Sequence, residues 1–351
     1  MSEAQASWRV CPLGDELERD RILASVARSL PGAAATRKNA DYWRWKHVDN
    51  PFGRSTGTFG LSADDSVVGV RSFMRWAFRT VDGHKLCAVR AVDTSTSPDW
   101  RGQGVFTRLT LAAIDDLRSE GADLIFNTPN TASGPGYLKM GWQRVATVPL
   151  AIRPRRPLRL ALGLLRRSGA DDRVPNPAEF GMAELPRVEQ LLAEPDFEHL
   201  LASHEKARPQ AGLRTPRELG YLNWRYARHP QVPYFACVLK DADGLTAVAL
   251  VRPNWRFGLR EIVVVELFAR DADPVLARRC LSQLARSTHG DYLIGHFAAD
   301  SVERRALGRA GFLPAPGQGI GLFARHVDTP LPESLLDLSG WDLSLGDLEL
   351  F

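Results

Sequence analysis

Arg101-Gly102-Gln103-Gly104 stand between an extended stretch that turns at Pro98 and a run in which Val105, Leu109, Ala113 and Leu117 share one helical face. Two glycines at the mouth of a helix let a ligand come close to the backbone. The first helical amides there lack intrahelical partners and have the positive end of the helix dipole behind them. Strand, glycine turn and helix in this order describe a phosphate cradle. The spacing is not G-x-x-x-x-G-K-[ST], which argues against a nucleoside triphosphate with magnesium, nor G-x-G-x-x-G, which removes the dinucleotide fingerprint. A pyrophosphate held by backbone alone is what remains.

Asp123 to Asn127 reads as a buried strand, and Asn130-Thr-Ala-Ser133-Gly-Pro-Gly-Tyr137-Leu-Lys-Met-Gly141-Trp142 follows it. An R-G-x-G turn opening a helix, a second strand, and then N-x-x-[AS]-x-x-x-Y-x-x-x-G-[FW] resembles the acyl-CoA-binding core of the GNAT N-acetyltransferase superfamily. The resemblance implies that the amides of Arg101, Gly102, Gln103, Gly104, Val105 and Phe106 cradle the pyrophosphate of coenzyme A. It implies that the strand ending at Ser95 and Thr96 pairs with the pantetheine arm, that Asn130 hydrogen-bonds that arm, and that Tyr137 protonates the departing thiolate. The superfamily usually has Gly or Ala where Phe106 stands. Subfamilies with R-G-x-G-[IV]-F and an upstream D-T-x-T-x-P, here Asp93-Thr94-Ser95-Thr96-Ser97-Pro98, are the closer match. The likeness is strong over about residues 40 to 150 and weak over 180 to 328.

Acyl transfer from a thioester to an amine requires a neutral amine, a donor for the developing oxyanion and a proton for the leaving sulfur. Main-chain amides beside the splayed strand suit the second need, and Tyr137 the third. For the base, Asp93 at the strand end comes first and His84 second, although either residue type also caps turns. An amine already neutral would need no side-chain base. The aromatic cluster Tyr42, Trp43 and Trp45 recurs as Tyr221 and Trp224, which points to packing in both places. No H-E-x-x-H, EF-hand loop or G-x-S-x-G elbow is present, and Cys11, Cys87, Cys237 and Cys280 are too scattered for a metal site; no metal is expected.

The elements that must position these residues follow from the pattern. Residues 14 to 30 read as an amphipathic helix stopped at Pro31-Gly32, and Asp41 to Asn50 as a second helix broken before Pro51. From Thr56 to Thr96 the chain reads as consecutive strands with turns at Asp64-Asp65 and Asp82-Gly83. Residues 151 to 180 hold seven arginines and four prolines. They read as a basic linker whose Pro157 to Arg167 forms a short amphipathic helix, packed with its arginines in solvent rather than bound to a membrane surface. The second half then echoes the first: Tyr221 to Pro230 repeats the Y-x-x-W-[KR] pattern of Tyr42 to Pro51, and Leu307 to Phe312 repeats Leu138 to Trp142. Ala269 to Asp273 has no glycine turn, so the copy lacks the phosphate cradle.

The expected architecture is therefore α/β in the α+β layered sense. Two GNAT-like domains are expected, each a mixed, mostly antiparallel sheet flanked by helices. The limits are 1–150 for the acyl-CoA-binding domain, 151–180 for the linker, 181–328 for the degenerate domain and 329–351 for a tail. A length of 351 residues suits two domains, and 45 Lys and Arg against 41 Asp and Glu is too balanced to imply nucleic acid. No apolar run is long enough to span a membrane, no signal peptide is read, and free thiols suit a cytoplasmic protein. The expected function is an acyl-CoA-dependent N-acyltransferase, most simply using acetyl-CoA, with a small-molecule amine such as an amino sugar as acceptor. The alternatives are a non-catalytic acyl-CoA sensor and an aminoacyl-tRNA-dependent transferase.

Overall fold

Alternation of apolar residues between Thr56 and Thr96, punctuated by Asp65 and Gly83 at positive φ, produces three consecutive antiparallel strands. The computed structural model describes residues 7–14, 16–29, 39–166, 173–209 and 211–348. The proposed stop at Pro31-Gly32 lies outside the described residues. The chain divides into two compact units, residues 1–78, 84–145 and 321–336 in one, and 79–83, 146–320 and 337–351 in the other.

In the first unit the strands are β1 (Trp8–Pro12), β2 (Thr56–Ser62), β3 (Val67–Arg79), β4 (Lys85–Thr96) and β5 (Leu124–Asn127), adjacent in that order, with Phe323–His326 antiparallel on the far side of β5. Strands β4 and β5 run parallel. Helices α1 (Glu16–Ser29), α2 (Ala40–His47), α3 (Val105–Ser119) and α4 (Gly134–Lys139) cover the sheet. The Asn39 side chain caps α2 by accepting from Tyr42 N at 2.9 Å, and the helix ends before Pro51. The i, i+4 stripe of α3 buries Val105, Leu109, Ala113 and Leu117. Ala113 and Leu117 join Phe73, Val89, Ala91, Ile125, Tyr137 and Trp142 in one apolar cluster. Each such aliphatic side chain contributes roughly 1.5–3 kcal/mol on burial, so the face of α3 that carries them fixes where its N-terminus points.

The second unit contains β6 (Gln143–Pro154) from residue 146 onward, β7 (Phe235–Asp241), β8 (Gly244–Arg256), β9 (Leu259–Ala269), β10 (Tyr292–Gly295) and β11 (Leu313–His326) as far as residue 320. The spatial order is β11-β6-β10-β9-β8-β7, with β9 and β10 parallel. Its helices include α5 (Pro157–Arg166), α6 (Pro195–Ala207), α7 (Pro274–Ser287), α8 (Val302–Arg309) and α9 (Leu345–Leu348). The element order from β7 to β11 repeats that from β2 to β6: two hairpins, a 3-10 turn, a helix, a short strand, a helix and a long strand.

Two stretches read as connectors prove to be built into a unit. Residues 151–154 continue β6 and pair with β10, and α5 packs on the second unit, where Gly163 lies against Leu259. Trp341, Asp342 and Asp347 of the expected tail are buried. The Asp347 carboxylate receives the Arg217 guanidinium at 2.6 Å, which supplies the charge partner that such burial requires.

Candidate active site

Strands β4 and β5 are hydrogen-bonded through Ala88–Leu124, Val89–Ile125 and Arg90–Phe126 and then part, although β4 continues to Thr96. Asp93 marks the departure. Its φ of 45° is in the left-handed region, where a non-glycine residue costs about 1–2 kcal/mol. Beyond it, the Ser97 amide donates to the Val68 carbonyl at 2.9 Å and ties the strand end to β3, away from β5. The edge of β4 facing the gap is thereby open to an extended ligand. Two buried polar atoms at this gap have no protein partner: Ser95 Oγ and Asn127 Oδ1. An extended arm bearing amide N–H groups would supply what they lack.

The glycine turn lies at the same end of the sheet. Gly102 and Gly104 have φ of 77° and 75°, and a Cβ added to either would meet no protein atom within 4 Å. Residues Arg101 to Gly104 are exposed, Gly104 caps α3 without a side chain, and the first amide to bond back is Arg108 N, donating to Gly104 O at 2.9 Å. Of the expected cradle, the Arg101 amide is already engaged, donating to Pro98 O at 3.2 Å; the amides of residues 102–107 are left for an anion. Phe106, bulkier than the resemblance leads one to expect, fits because Gly136 faces it: a Cβ there would lie 2.9 Å from the phenyl ring. At the start of α7 in the second unit, Pro274 has no N–H and the Asp273 carboxylate accepts from Val275 N at 2.7 Å, so a side chain already occupies that helix mouth.

Tyr137 is buried, edge-on to Phe106 and Trp142, and its hydroxyl accepts a hydrogen bond from Arg71 Nη1 at 2.7 Å. The same nitrogen donates to Thr94 Oγ1 on the freed part of β4. The sequence reading missed Arg71. It is fully buried, its guanidinium lies over the rings of Phe73, Phe106 and Tyr137, and its Nε and Nη2 have no hydrogen-bond partner. Among the described residues no carboxylate pairs with it. Because the tyrosine oxygen accepts from a cation, its own O–H remains to donate elsewhere.

Asp93 and Asn130 differ from expectation in how they are engaged. The Asp93 side chain is 3% exposed and pairs with Lys46 Nζ at 2.7 Å and His47 Nε2 at 3.0 Å. It does not stand free as a base. His47 Nδ1 in turn meets Ser55 Oγ at 2.8 Å, and both residues line a cavity of about 180 Å³ with Ile22, Trp43 and Arg54. Asn130 turns its Oδ1 to the amides of Ala132 and Ser133 at 3.1 and 2.9 Å, which leaves only its NH₂ for another partner. His84 is exposed at the opposite end of β4 from Thr96. Ser95 and Thr96 are on the freed edge, as the resemblance implies.

A sheet whose parallel pair parts beside an uncapped helix mouth, with a buried tyrosine hydroxyl at the gap, is the arrangement expected from the resemblance to acyl-CoA-binding transferases. Residues 18–145 match the acetyltransferase (GNAT) domain model. Over that stretch, rather more than a third of the chain, the sequence is similar to the GNAT superfamily, as its motifs suggest. Among curated proteins none matches the chain. Solved structures do. A GCN5-related N-acetyltransferase from Anabaena variabilis has a TM-score of 0.60 at 10% identity, covering 92% of this chain and 73% of that one. One from Kribbella flavida has 0.56 at 16%, covering 92% and 72%. A probable N-acyltransferase from Enterococcus faecalis has 0.56 at 14%, covering 92% and 73%. At such identity these likenesses concern the fold, and they agree with the expected mixed α/β architecture of mostly antiparallel sheet and flanking helices.

Proposed function

We propose that this protein is an acyl-CoA-dependent N-acyltransferase, most simply an acetyltransferase, acting on a primary amine of a small molecule such as an amino sugar in the cytoplasm. The observation that carries the reading is the Tyr137 hydroxyl, fixed by Arg71 beside the freed edge of β4. The amides of residues 102–107 hold the pyrophosphate, the edge from Asp93 to Thr96 receives the pantetheine arm, and Asn127 Oδ1 with Ser95 Oγ takes up its polar groups. When bound, the thioester supplies the activated acyl carbon. Tyr137 donates its proton to the departing sulfur, and the adjacent Arg71 cation steadies the phenolate that this leaves.

The acceptor enters from the cavity beside α2. Asp93 orients His47 by accepting from Nε2–H, so Nδ1 accepts from Ser55. Asp93, His47 and Ser55 form a chain of hydrogen bonds, and the proton shed by the attacking amine passes through the Ser55 hydroxyl to His47 Nδ1. In this reading Asp93 acts through His47 rather than as the base itself. The second unit is read as a copy without a cradle, supported by the repeated element order and the capped mouth of α7. Incubation with acetyl-CoA and a panel of amines, amino sugars included, tests the proposal by release of free thiol. Tight coenzyme binding with no amine-dependent release would leave a sensor instead, and a tRNA-dependent activity indifferent to Gly102 and Gly104 would leave the third alternative.

A further inference from the structure

The basic helix α5 exposes a row of leucines as well as the arginines expected in solvent. Leu160 is buried and Gly163 packs directly on Leu259, where a Cβ would come within 2.6 Å of a methyl group. With that face down, Leu158, Ala161, Leu162 and Leu165 face outward at i, i+3, i+4 and i+7, one continuous apolar stripe. Leu158 and Leu165 are 81% and 82% exposed and Leu162 is 53% exposed. Exposed leucines are ordinary singly but not as an aligned row on one helix. The helix has no acidic residue, and Arg155, Arg156 and Arg159 beside it are exposed. Arg156 and Arg159 lean on the buried Asp291 at 3.6 and 3.2 Å, yet half of each side chain remains in solvent. Arg286 adds to the cluster: together with Arg155 it repels the charge on Arg153, whose proton affinity falls through burial first and these like charges second.

We infer that α5 is a docking surface for an anionic phospholipid bilayer, its leucine stripe entering the acyl boundary while the arginines meet the headgroup phosphates. Leucines on one face and arginines along the flanks are the arrangement that holds a helix in the plane of such an interface. Ten residues are too few to cross it, and among the described residues no helix is long and apolar enough to do so. Charge complementarity selects this occupant over an apolar protein groove, which has no use for the flanking cations. The attachment is peripheral and independent of acyl transfer.

Co-sedimentation of the full chain with vesicles tests it. Binding is expected to vesicles of phosphatidylcholine mixed with phosphatidylglycerol and to be at least about tenfold weaker with phosphatidylcholine alone, since each cation near an anionic surface is worth roughly fivefold. Added salt should release the protein. The double variant Leu158→Glu/Leu165→Glu changes only exposed positions; it should melt as the parent does and lose vesicle binding at least about tenfold. No binding to either vesicle, equal binding to both, or undiminished binding by the variant would overturn the proposal. So would a parent dimer by light scattering that the variant dissolves without any effect on vesicles, since the stripe would then serve a second copy.

Discussion

Replacing Arg71 by Met should impair the enzyme without unfolding it, a combination that separates a functional buried charge from a structural one. The side chain is fully buried and has no carboxylate partner among the described residues; two of its nitrogens, Nε and Nη2, are unpaired. Leaving two buried donors unsatisfied costs about 1–3 kcal/mol each. Its hydrogen bonds to Tyr137 and Thr94 return about 1.5–3 kcal/mol each. The ring contacts add about 1–2 kcal/mol, and desolvating the cation costs several more. Met fills a similar volume and removes both the costs and the gains, so unfolding by urea should change by no more than about 1 kcal/mol in either direction. Arginine in a matched buried ion pair would instead lose about 3–5 kcal/mol. Turnover should fall at least about tenfold, because the Tyr137 hydroxyl loses the cation that fixes it, while coenzyme affinity measured by calorimetry stays within about threefold. Unchanged turnover would refute the reasoning, and so would a stability loss above about 3 kcal/mol.

Tyr137→Phe should lower kcat by about 10²–10⁴ while coenzyme affinity holds, and should also cost about 1–3 kcal/mol of stability because Arg71 Nη1 loses one of its two partners; thermal melting and thiol release measure the two effects. Gly104→Ala introduces a methyl that meets no protein atom within 4 Å. Its strain at φ of 75° is only about 1 kcal/mol, so a loss of coenzyme affinity beyond about tenfold in calorimetry reports phosphate contact. Asp93→Asn leaves Lys46 buried without its charge partner and should destabilise the chain by about 3–5 kcal/mol in urea. The second unit should be acid-labile in two windows. Burial holds His296 down to about 4 from 6.5, so the unfolded chain binds the extra proton and stability is lost as pH falls from 6.5 toward 4. Burial works to raise Glu303, but the His204 hydrogen bond and the Arg208 charge outweigh it and bring it to about 2; its contribution is present above 4.5 and lost on descent toward 2. Each window is worth about 3 kcal/mol. Urea unfolding across this range measures both, and His296→Gln should flatten the upper one.

The parts of the fold legible in the chain are those set by neighbours in sequence. Turns at Asp64-Asp65 and Asp82-Gly83, the halt of α2 before Pro51 and the face of α3 that is buried follow from backbone preference and periodicity over a few residues. The glycine turn was readable for the same reason: two residues at positive φ and an uncapped helix start are local properties. The limits of the compact units were not, because residues 321–336 join the first unit through strand pairing with β5, some 200 positions earlier. Arg71 and Asn127 left a weaker trace. An arginine set among Val67, Val68, Val70 and Phe73 signals a buried cation with a task, but nothing local names Tyr137, 66 residues on, as its partner.

What the amino-acid order alone determined is therefore the glycine turn and the family likeness, since two residues at positive φ before an uncapped helix start need only glycine, strand and helix in succession. What the tertiary structure decided is which side chains share a charge and which are left in solvent: that Asp93 is spent on Lys46 and His47, that the Asn130 oxygen closes its own turn, and that leucines of α5 are exposed alongside its arginines. Electrostatic partnership and burial depend on distance in space, falling off within several ångströms, and chain separation carries no record of it.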